Sequence, residues 1–399
     1  MKQQILILGA GFAGMWAALS AARLTDLHDR NDIEITVLAP QPELRIRPRF
    51  YEAGVENFAA PLLPLFAATG VKFIAGSASE IDVASKQVWY HTAQDQLAAL
   101  HYDRLVLATG SQINPIFPGA NEHAFDVDKL ESAAHLEKHL HQLAEQPDSH
   151  ARNTVVVCGG GFTGIELATE LPARLLAILG NETQVRVIVA DRSPVIGGRY
   201  SEELCQVIKQ ASDELGVEWQ LEAEIAAINE HGVKFKNGDF IASNTVIMTM
   251  GVQASPLTAQ IPATRDAQGR LHVDQNLKVV GHEDIYATGD VAYARTDDTG
   301  NTALMTCQHA IMLGRFVGNN VAADIIGVAP HPYSQVNYVT CLDLGAWGAV
   351  YTEGWDQVVK STRADGKKIK IAITSELIYP PKPEKEIAFA AADPLAPFV

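Results

Sequence analysis

The chain opens with Gln4-Ile5-Leu6-Ile7-Leu8-Gly9-Ala10-Gly11-Phe12-Ala13-Gly14. The apolar run predicts a buried strand, and apolar residues at helical spacing follow, so the stretch is typical of strand, tight turn and helix. Its glycines fit G-x-G-x-x-G: the first permits the turn, the second lets a pyrophosphate approach the backbone, and the third lets helix pack on strand. We therefore predict a dinucleotide site, with the phosphates at the helix N-terminus.

The same arrangement recurs in the middle of the chain. The apolar run at residues 154 to 158 is followed by Gly159-Gly160-Gly161-Phe162-Thr163-Gly164 and then by apolar residues at helical spacing. Each motif leads to a further β-like run, at residues 33 to 38 and 185 to 189, so the chain contains two βαβ units. Right-handed crossovers make both sheets parallel. We predict an α/β fold with two Rossmann-like domains.

The residue after the second strand of each unit distinguishes the two sites. Asp191 stands there in the second unit, where a carboxylate can hold the ribose hydroxyls of NADH. The first unit has Pro40 instead, so its adenosine must be held differently, and Glu43 is the nearest substitute. Arg192 beside Asp191 leaves NADPH open as an alternative, because a guanidinium can bind a 2′-phosphate.

Composition and charge argue against several classes of protein. The 399 residues are 47% hydrophobic and 20% charged, which is enough for two or three buried cores, and the formal net charge is -16. This acidity opposes binding to nucleic acid or to an anionic membrane surface. The 4 cysteines lack metal-ligand spacing, so we expect no metal site, no disulfide framework and a cytoplasmic setting. Residues 5 to 22 carry no charge, but the motif glycines explain them better than a membrane span.

Two later segments resemble the FAD signatures of the two-dinucleotide-binding flavoprotein reductases, the pyridine nucleotide-disulfide oxidoreductase superfamily. They are residues 102 to 111 and 285 to 290. The resemblance implies that Asp290 binds the ribityl chain of FAD and that Thr109 and Gly110 line the switch between the domains. An intact pyrophosphate motif also favours FAD over FMN, because a mononucleotide would leave it without a role.

Within that superfamily the chain is most similar to the type II NADH dehydrogenases, the single-subunit NADH:quinone oxidoreductases. Residues 48 to 52, 118 to 125 and 164 to 168 resemble that family's segments, within a likeness covering roughly residues 3 to 325. The resemblance implies that Glu166 lies near the nicotinamide and flavin, where a carboxylate with a raised pKa orders the amide or relays a proton. The alternative is a helix N-terminal Glu favoured by the helix dipole.

These patterns and the resemblance together give a set of candidate residues. The predicted catalytic residues are Glu166 and Gln308. Gly251 opens a segment similar to the family's strand and turn beside the nicotinamide. The predicted residues that bind the two dinucleotides are Gly9, Gly11, Phe12, Ala13, Gly14, Arg49, Ala108, Thr109, Gly110, Gly159, Gly161, Phe162, Thr163, Gly164, Glu166, Asp191, Gly251, Gly289, Asp290 and Gln308.

Two departures from the type II family weaken a quinone assignment. The family's quinone-site helix carries a second Gln four residues after the first, whereas Gln308 is followed by Met312. The membrane-binding amphipathic helices have no obvious counterpart after residue 330, where the tail is rich in proline and lacks a basic face. We therefore expect stable membrane docking to be absent and a water-soluble acceptor to be favoured.

The predicted organisation has three parts. Residues 1–114 and 266–328 form the FAD-binding domain, residues 115–265 the NAD(P)H-binding domain, and residues 329–399 a small C-terminal α+β domain and tail. We expect β-meander insertions in both dinucleotide domains, at residues 71 to 102 and at a hairpin over residues 232 to 241. The pair Asn237-Gly238 predicts a type I′ turn in that hairpin.

The predicted function is transfer of hydride from NAD(P)H through FAD to a quinone or another small acceptor. The alternatives are a ferredoxin- or rubredoxin-type carrier reductase, a redox sensor without turnover, and a sulfide:quinone reductase in which Cys158 meets Cys307 or Cys341. A disulfide reductase is disfavoured, since no cysteine precedes Cys158. We expect a cytoplasmic protein with at most peripheral contact with the inner face of the membrane, no transmembrane segment, no nucleic-acid partner, and a homodimer as one option.

Overall fold

The computed structural model describes residues 2–114 and 117–397. The first part of the chain begins with the predicted strand, turn and helix and continues through a meander to a crossover strand. Its elements are β1 (Gln3–Leu8), α1 (Phe12–Leu27), β2 (Ile33–Ala39), β3 (Glu43–Arg45), β4 (Ala59–Pro61), α2 (Leu63–Thr69), β5 (Lys72–Asp82), β6 (Gln87–Thr92), β7 (Leu97–His101), β8 (Arg104–Leu107) and β9 (Ser111–Ile113).

The middle of the chain repeats the pattern with its own meander. Its elements are α3 (Ala120–His123), β10 (Phe125–Asp126), α4 (Leu130–Gln142), α5 (His150–Asn153), β11 (Thr154–Cys158), α6 (Phe162–Leu179), β12 (Arg186–Ala190), α7 (Glu202–Leu215), β13 (Val217–Gln220), β14 (Ile225–Asn229), β15 (Gly232–Phe235), β16 (Phe240–Ala242), β17 (Thr245–Met248) and β18 (Val252–Ala254).

The chain then returns to the first sheet before it forms the C-terminal region. The elements of this part are β19 (Leu271–His272), β20 (Ile285–Ala287), β21 (Ala292–Tyr293) and α8 (Cys307–Ile326). Strand β20 joins the first sheet, and β19 and β21 pair with each other. The C-terminal elements are β22 (Val339–Asp343), β23 (Ala349–Glu353), β24 (Val358–Ser361), α9 (Arg363–Ala372), a π-helical turn (Ile373–Leu377) and α10 (Lys385–Ala391).

Two sheets with parallel centres confirm the predicted fold class. The larger has the order β20-β8-β1-β2-β5-β6-β7, in which β6 and β7 extend the parallel strands as an antiparallel meander. The second has the order β10-β17-β11-β12-β13, with parallel pairing throughout. Strand β11 is buried along its whole length, as expected for a central strand covered on both faces.

Helix α8 lies directly against α1, the helix that follows the first glycine motif. Gly314 and Gly318 make this approach possible, because a Cβ on them would lie 2.6 and 2.2 Å from the carbonyl oxygens of Ala13 and Ala17. The uncharged run at residues 5 to 22 therefore becomes β1 and most of a buried helix rather than a membrane span. Among the helices of the described residues, none is long and apolar enough to cross a membrane.

The predicted hairpin at residues 232 to 241 forms, but its turn differs from the expectation. Strands β15 and β16 pair antiparallel, with Val233 opposite Ile241. Only Gly238 has a positive φ, +97°, and Asn237 does not, so the turn is not type I′. The Gly238 N–H donates to the Phe235 carbonyl at 3.1 Å, which closes a longer loop with a single left-handed glycine.

The C-terminal region combines strands with helices, as the predicted small α+β domain requires. Helix α9, the π-helical turn and α10 all lie there, and α10 packs on α1 and α2 of the first domain. Lys385 and Asp26 form an ion pair at 2.6 Å, and Arg23 pairs with Asp393. In the sequence, the prolines before α10 indicated only a loop. The helices on either side of that loop are too short to show a recognisable hydrophobic repeat.

The predicted domain boundaries fall between regular elements. Residues 115 and 116, at the first boundary, and residues 398 and 399, at the end of the predicted tail, lie outside the described residues. The other two boundaries lie between the 3₁₀ turn Pro256–Gln260 and β19, and after α8. The division into three domains stays a prediction. At the junction, β9 and β18 pair antiparallel, with Ser111 opposite Ala254.

Candidate active site

One large cavity, with a volume of about 690 Å³, extends from the first glycine motif to the C-terminal region. Eleven of the predicted site residues line it, from both dinucleotide domains. They are Gly11, Phe12, Ala13, Ala108, Gly110, Phe162, Thr163, Glu166, Gly289, Asp290 and Gln308. The predicted residues outside its lining are Gly9, Gly14, Arg49, Thr109, Gly159, Gly161, Gly164, Asp191 and Gly251.

The three glycines of the first motif have separate structural roles. A Cβ on Gly14 would lie 1.9 Å from the Gly9 carbonyl oxygen, so the third glycine lets α1 pack on the turn. Gly9 has a φ of +109° and lies against the Ala108 carbonyl. A Cβ on Gly11 would meet nothing within 4 Å, so this position faces open space at the start of α1. That is the geometry a pyrophosphate needs at a helix N-terminus.

The second motif has the same construction, and Asp191 lies beside it. A Cβ on Gly164 would lie 1.9 Å from the Gly159 carbonyl oxygen. The Asp191 carboxylate accepts hydrogen bonds from the backbone N–H of Gly160 at 2.6 Å and of Ser193 at 2.8 Å. The carboxylate is thus fixed next to the phosphate-binding turn. This is where a dinucleotide site carries its ribose-binding acid.

The first domain has no acid at the matching position. Pro40 directly follows β2, and the suggested substitute Glu43 accepts a hydrogen bond from Arg45 Nε at 2.9 Å. Arg45 also donates to both carboxylate oxygens of Glu131 at 2.8 Å. Because Arg45 lines the cavity, this arrangement puts a guanidinium near the first dinucleotide site.

The cavity walls carry buried polar atoms that fit an FAD molecule. Thr288 Oγ1 and Gln308 Oε1 are buried without a hydrogen-bond partner, and both residues line the cavity. Thr109 Oγ1 is also buried without a hydrogen-bond partner, and Thr109 lies between the cavity-lining residues Ala108 and Gly110 in the chain. Unsatisfied buried oxygens are costly, so they indicate a missing polar partner such as the hydroxyls and ring atoms of a bound flavin dinucleotide.

Arg47, rather than the predicted Arg49, reaches the cavity. Arg49 donates to Glu52 at 2.9 and 2.7 Å and lines a second, smaller cavity. Arg47 donates to Ser111 Oγ at 2.8 Å and approaches Asp290 at 3.5 Å. No sequence motif pointed to Arg47, because it lies just before the segment that carried the family resemblance. The cofactor-binding role of Arg49 stays a prediction.

Glu166 forms a buried ion pair that sequence reasoning missed. Its Oε1 lies 2.6 Å from Lys370 Nζ, and both residues are buried. Burial raises the pKa of Glu166 above its usual value, and the nearby Lys370 charge opposes that rise. The pKa of Lys370 is raised although burial opposes it, because Glu166 stabilises the charged ammonium. Glu166 is thus a cavity-lining carboxylate as well as a residue in the second turn of α6.

A second cavity, of about 250 Å³, adjoins the Glu166–Lys370 pair and is lined by further charged residues. Lys370 and Thr374 line both cavities. Lys367 Nζ lies 2.6 and 2.8 Å from the two oxygens of Asp343. Tyr51 donates to the same carboxylate at 3.1 Å, and burial holds the pKa of Tyr51 well above its ordinary value. Asp343 N–H donates to Glu166 Oε1 at 3.1 Å, which joins the two groups.

The C-terminal end of the large cavity is mostly apolar. Its lining includes the apolar residues Phe50, Val339, Ile369, Ile373 and Ile378, and the polar residues Glu166, Gln308, Tyr338, Thr340, Lys370 and Thr374. The β22–β24 sheet, α9 and the π-helical turn supply most of this surface. Met312, the departure noted in the sequence, packs in the hydrophobic core and is not among the described residues that line the cavity.

Cys158 does not meet Cys307 or Cys341 at the cavity, as the sulfide-oxidising alternative requires. Cys307 and Cys341 line the cavity, but Cys158 is fully buried at the end of β11 and lies outside its lining. Burial raises the pKa of Cys307 to about 11 and the pKa of Cys341 to about 12, so both stay protonated near neutral pH. Within residues 2–114 and 117–397, no group of three His, Cys, Asp or Glu side chains is suited to a metal.

Comparison with known proteins agrees with this geometry. Residues 3–314 match the pyridine nucleotide-disulphide oxidoreductase family. The chain belongs to this family. It is 40% identical over 383 residues to an NADH dehydrogenase-like protein of Mycobacterium tuberculosis, covering 95% of this chain and 94% of that protein.

Two more distant members of the comparison span similar lengths. The demethylphylloquinone reductase of Synechocystis sp. is 28% identical over 358 residues, covering 88% of this chain and 86% of the relative. The structure of NDH2 from Plasmodium falciparum in complex with NADH superimposes with a TM-score of 0.79 at 13% identity, covering 98% and 97% of the two chains. This pyridine nucleotide-disulphide oxidoreductase is an FAD-dependent enzyme that uses NADH.

Proposed function

We propose that the chain is an NADH:quinone oxidoreductase of the type II kind. One observation carries the proposal: a single cavity joins both dinucleotide domains to an apolar end built by the C-terminal region. A quinone is flat and largely apolar with two carbonyl oxygens, so it suits a mainly apolar wall with few polar groups. The quinone named for the Synechocystis relative belongs to the same chemical class.

The residues that would hold the nicotinamide and the flavin next to each other line the cavity from both domains. Phe162, Thr163 and Glu166 come from the start of α6, and Gly289 with Asp290 come from the opposite domain. Bound FAD supplies the hydride-accepting and electron-donating chemistry. The protein orients the nicotinamide in this space and excludes water from it, which is how positioning lowers the barrier to hydride transfer.

Glu166 and Lys370 are proposed to manage the proton at the acceptor. Reduction of a quinone by NADH takes up one proton from solution for each hydride transferred. Lys370 Nζ, 2.6 Å from Glu166, lines both the large cavity and the polar second cavity. The pair therefore holds an exchangeable proton next to the acceptor end. Gln308, with an unsatisfied Oε1, is the proposed polar contact for a quinone oxygen or the flavin.

We propose NADH as the preferred donor over NADPH. Asp191 is held beside the second glycine motif by two backbone N–H groups, and its charge would repel a 2′-phosphate. Arg192 is exposed beside it. The fixed carboxylate therefore dominates the recognition of the ribose.

The alternatives have less support. A sulfide oxidase needs reactive thiolates. Cys307 and Cys341 have raised pKa values, and Cys158 is fully buried in a strand. A protein-carrier reductase would pass electrons at an exposed flavin edge, and the apolar pocket beside Ile373 has no role in that reaction. A redox sensor would bind both cofactors without turnover, which the experiment below distinguishes.

We propose a cytoplasmic protein that makes a transient contact with the membrane at its acceptor end. Leu377, the last residue of the π-helical turn that lines the apolar end of the cavity, is 41% exposed, and Ile371 just before that turn is 53% exposed. Exposed apolar side chains at the mouth of such a pocket would ease the entry of a lipid-soluble quinone. The overall acidity and the shortness of α9 limit the strength of this contact. The predicted homodimer stays a prediction.

Anaerobic stopped-flow mixing tests the proposed function. The yellow protein is mixed with NADH, and flavin absorbance is followed before and after addition of a water-soluble quinone. We expect fast bleaching with NADH, slower bleaching with NADPH, and fast recovery with quinone. Bleaching without recovery by any quinone would favour a sensor, and no bleaching by either nucleotide would contradict the proposal.

A further inference from the structure

Arg47 stands at the centre of a polar cluster on the wall of the large cavity. Its guanidinium donates to Ser111 Oγ at 2.8 Å, approaches Asp290 at 3.5 Å and pairs with Asp128. Ser111 Oγ also donates to Asp290 Oδ2 at 2.6 Å. All four residues line the cavity.

The cluster joins elements that are far apart in the chain. Arg47 begins a 3₁₀ turn after β3, Ser111 begins the crossover strand β9, and Asp290 lies in the 3₁₀ turn after β20. Asp128 lies between β10 and α4, which follow the crossover strand β9 and belong to the second dinucleotide domain. Its second carboxylate oxygen accepts the Ile113 N–H at 3.1 Å. One guanidinium thus connects both dinucleotide domains at the cofactor cavity.

The carboxylates of Asp128 and Asp290 are buried, so each needs a nearby cation, and Arg47 supplies it. The side chains of Asp128 and Asp290 are 5% and 14% exposed, whereas that of Arg47 is 35% exposed. Burial raises the pKa of Asp128, and the charge of Arg47 opposes that rise. Without Arg47, two carboxylates would face the same cavity with no cation at their centre. Asp128 would be the more costly to leave uncompensated.

We propose that Arg47 is a positioning residue for FAD, which holds Ser111 and Asp290 in place for the cofactor while it anchors on Asp128 of the opposite domain. The inference rests on the proposed function in one respect, namely that FAD occupies this cavity. The planar guanidinium is suited to the task, because its separate N–H groups contact several oxygens in fixed directions.

The test compares FAD affinity with stability in the same set of variants. Arg47→Gln and the double variant Arg47→Gln/Asp128→Asn are prepared as apoproteins, and FAD binding is followed by the quenching of flavin fluorescence. We expect Arg47→Gln to weaken FAD binding at least tenfold and to lower the melting temperature of the apoprotein. The double variant should regain most of the melting temperature, because the more buried of the two uncompensated carboxylates is gone, but not the affinity for FAD.

Recovery of FAD affinity in the double variant would overturn the inference, because compensation of Asp128 alone would then explain the effect. Arg49→Gln tests the residue that the sequence predicted to bind the cofactor. If Arg49→Gln weakens FAD binding and Arg47→Gln does not, the inference about Arg47 is overturned. Arg186→Gln, which removes an exposed pair with Glu218, serves as the control. A wild-type apoprotein that binds no FAD would instead contradict the proposed function itself.

Discussion

Lys370 Nζ lies 2.6 Å from Glu166 Oε1, although the two residues are separated by 204 positions in the chain. Both side chains are buried, at 7% and 11% exposure, and both residues line the large cavity. A buried carboxylate beside a buried ammonium is stable only as a pair, because either charge alone would be uncompensated.

Lys370→Met is expected to make stability fall as pH rises. The pKa of Glu166 is already raised by burial, and loss of the ammonium raises it further. A carboxyl with a raised pKa stabilises the fold below its unfolded pKa, and this contribution is lost as pH rises through the folded value. Near neutral pH the variant should lose about 3–5 kcal/mol, measured by urea unfolding. Glu166→Gln/Lys370→Met should recover most of this, and equal stability of Lys370→Met and wild type at pH 5 and pH 8 would contradict the argument.

Asp191→Ala is expected to raise the KM for NADH about tenfold or more, since hydrogen bonds to a charged group contribute about 1.5–3 kcal/mol. The KM for NADPH should change less, because the variant removes a repulsive charge as well as a ribose contact. Steady-state assays with a water-soluble quinone measure both values. Arg192→Gln is the companion variant and should leave the KM for NADH within about twofold, as expected for an exposed charge. An unchanged KM for NADH in Asp191→Ala would assign the ribose to another group.

Gly11→Ala is expected to lose affinity for FAD, whereas Gly14→Ala is expected to lose stability. A methyl group on Gly14 meets the Gly9 carbonyl, so that variant should lose about 1–3 kcal/mol of apoprotein stability by overpacking. A methyl group on Gly11 meets nothing in the protein, so that variant should fold normally and bind FAD at least tenfold more weakly. Unfolding of the apoproteins and titration with FAD separate the two effects. Normal FAD affinity in Gly11→Ala would place the pyrophosphate elsewhere.

Ile373→Glu is expected to raise the KM for a hydrophobic quinone at least tenfold, because it puts a charge on the apolar wall of the cavity. Flavin bleaching by NADH in the first, anaerobic phase should keep its wild-type rate. Leu97→Glu alters an exposed residue of β7 outside the cavity lining and is the matched control, assayed with the same quinone. Equal quinone kinetics in Ile373→Glu and wild type would move the acceptor away from this wall.

His309 is expected to make the fold sensitive to acid. Burial, with a smaller effect of the Arg270 charge, lowers the pKa of His309 from 6.5 to about 4. A lowered folded pKa gives stability that is present above pH 6.5 and is lost as pH falls toward 4. Between pH 7 and pH 5 the loss amounts to about 2 kcal/mol. His309→Gln should lack this part of the pH dependence in urea unfolding, and an identical profile in both proteins would refute the assignment.

Local patterns in the sequence were sufficient for the parts of the site that depend on backbone geometry. The third glycine of each motif is required by a contact within a few residues, Gly14 against Gly9 and Gly164 against Gly159, and the first glycine of each motif has a positive φ. Asp191 was recognisable because the end of the second strand always lies beside the glycine turn in a βαβ unit. Periodicity likewise predicted both parallel sheets, since side chains repeat with the geometry of strand and helix.

The tertiary structure decided the partners of the charged groups. Lys370 joins Glu166, and Arg47 rather than Arg49 reaches Asp290, yet neither choice has a signal in the chain. Ion pairs between distant segments depend on how whole elements pack, and any one of many lysines or arginines satisfies the same local rules. The sequence by itself thus determined the fold and the two dinucleotide motifs, because these follow from short-range backbone geometry. Only the folded chain selected which charges meet at the cavity, because that depends on long-range packing.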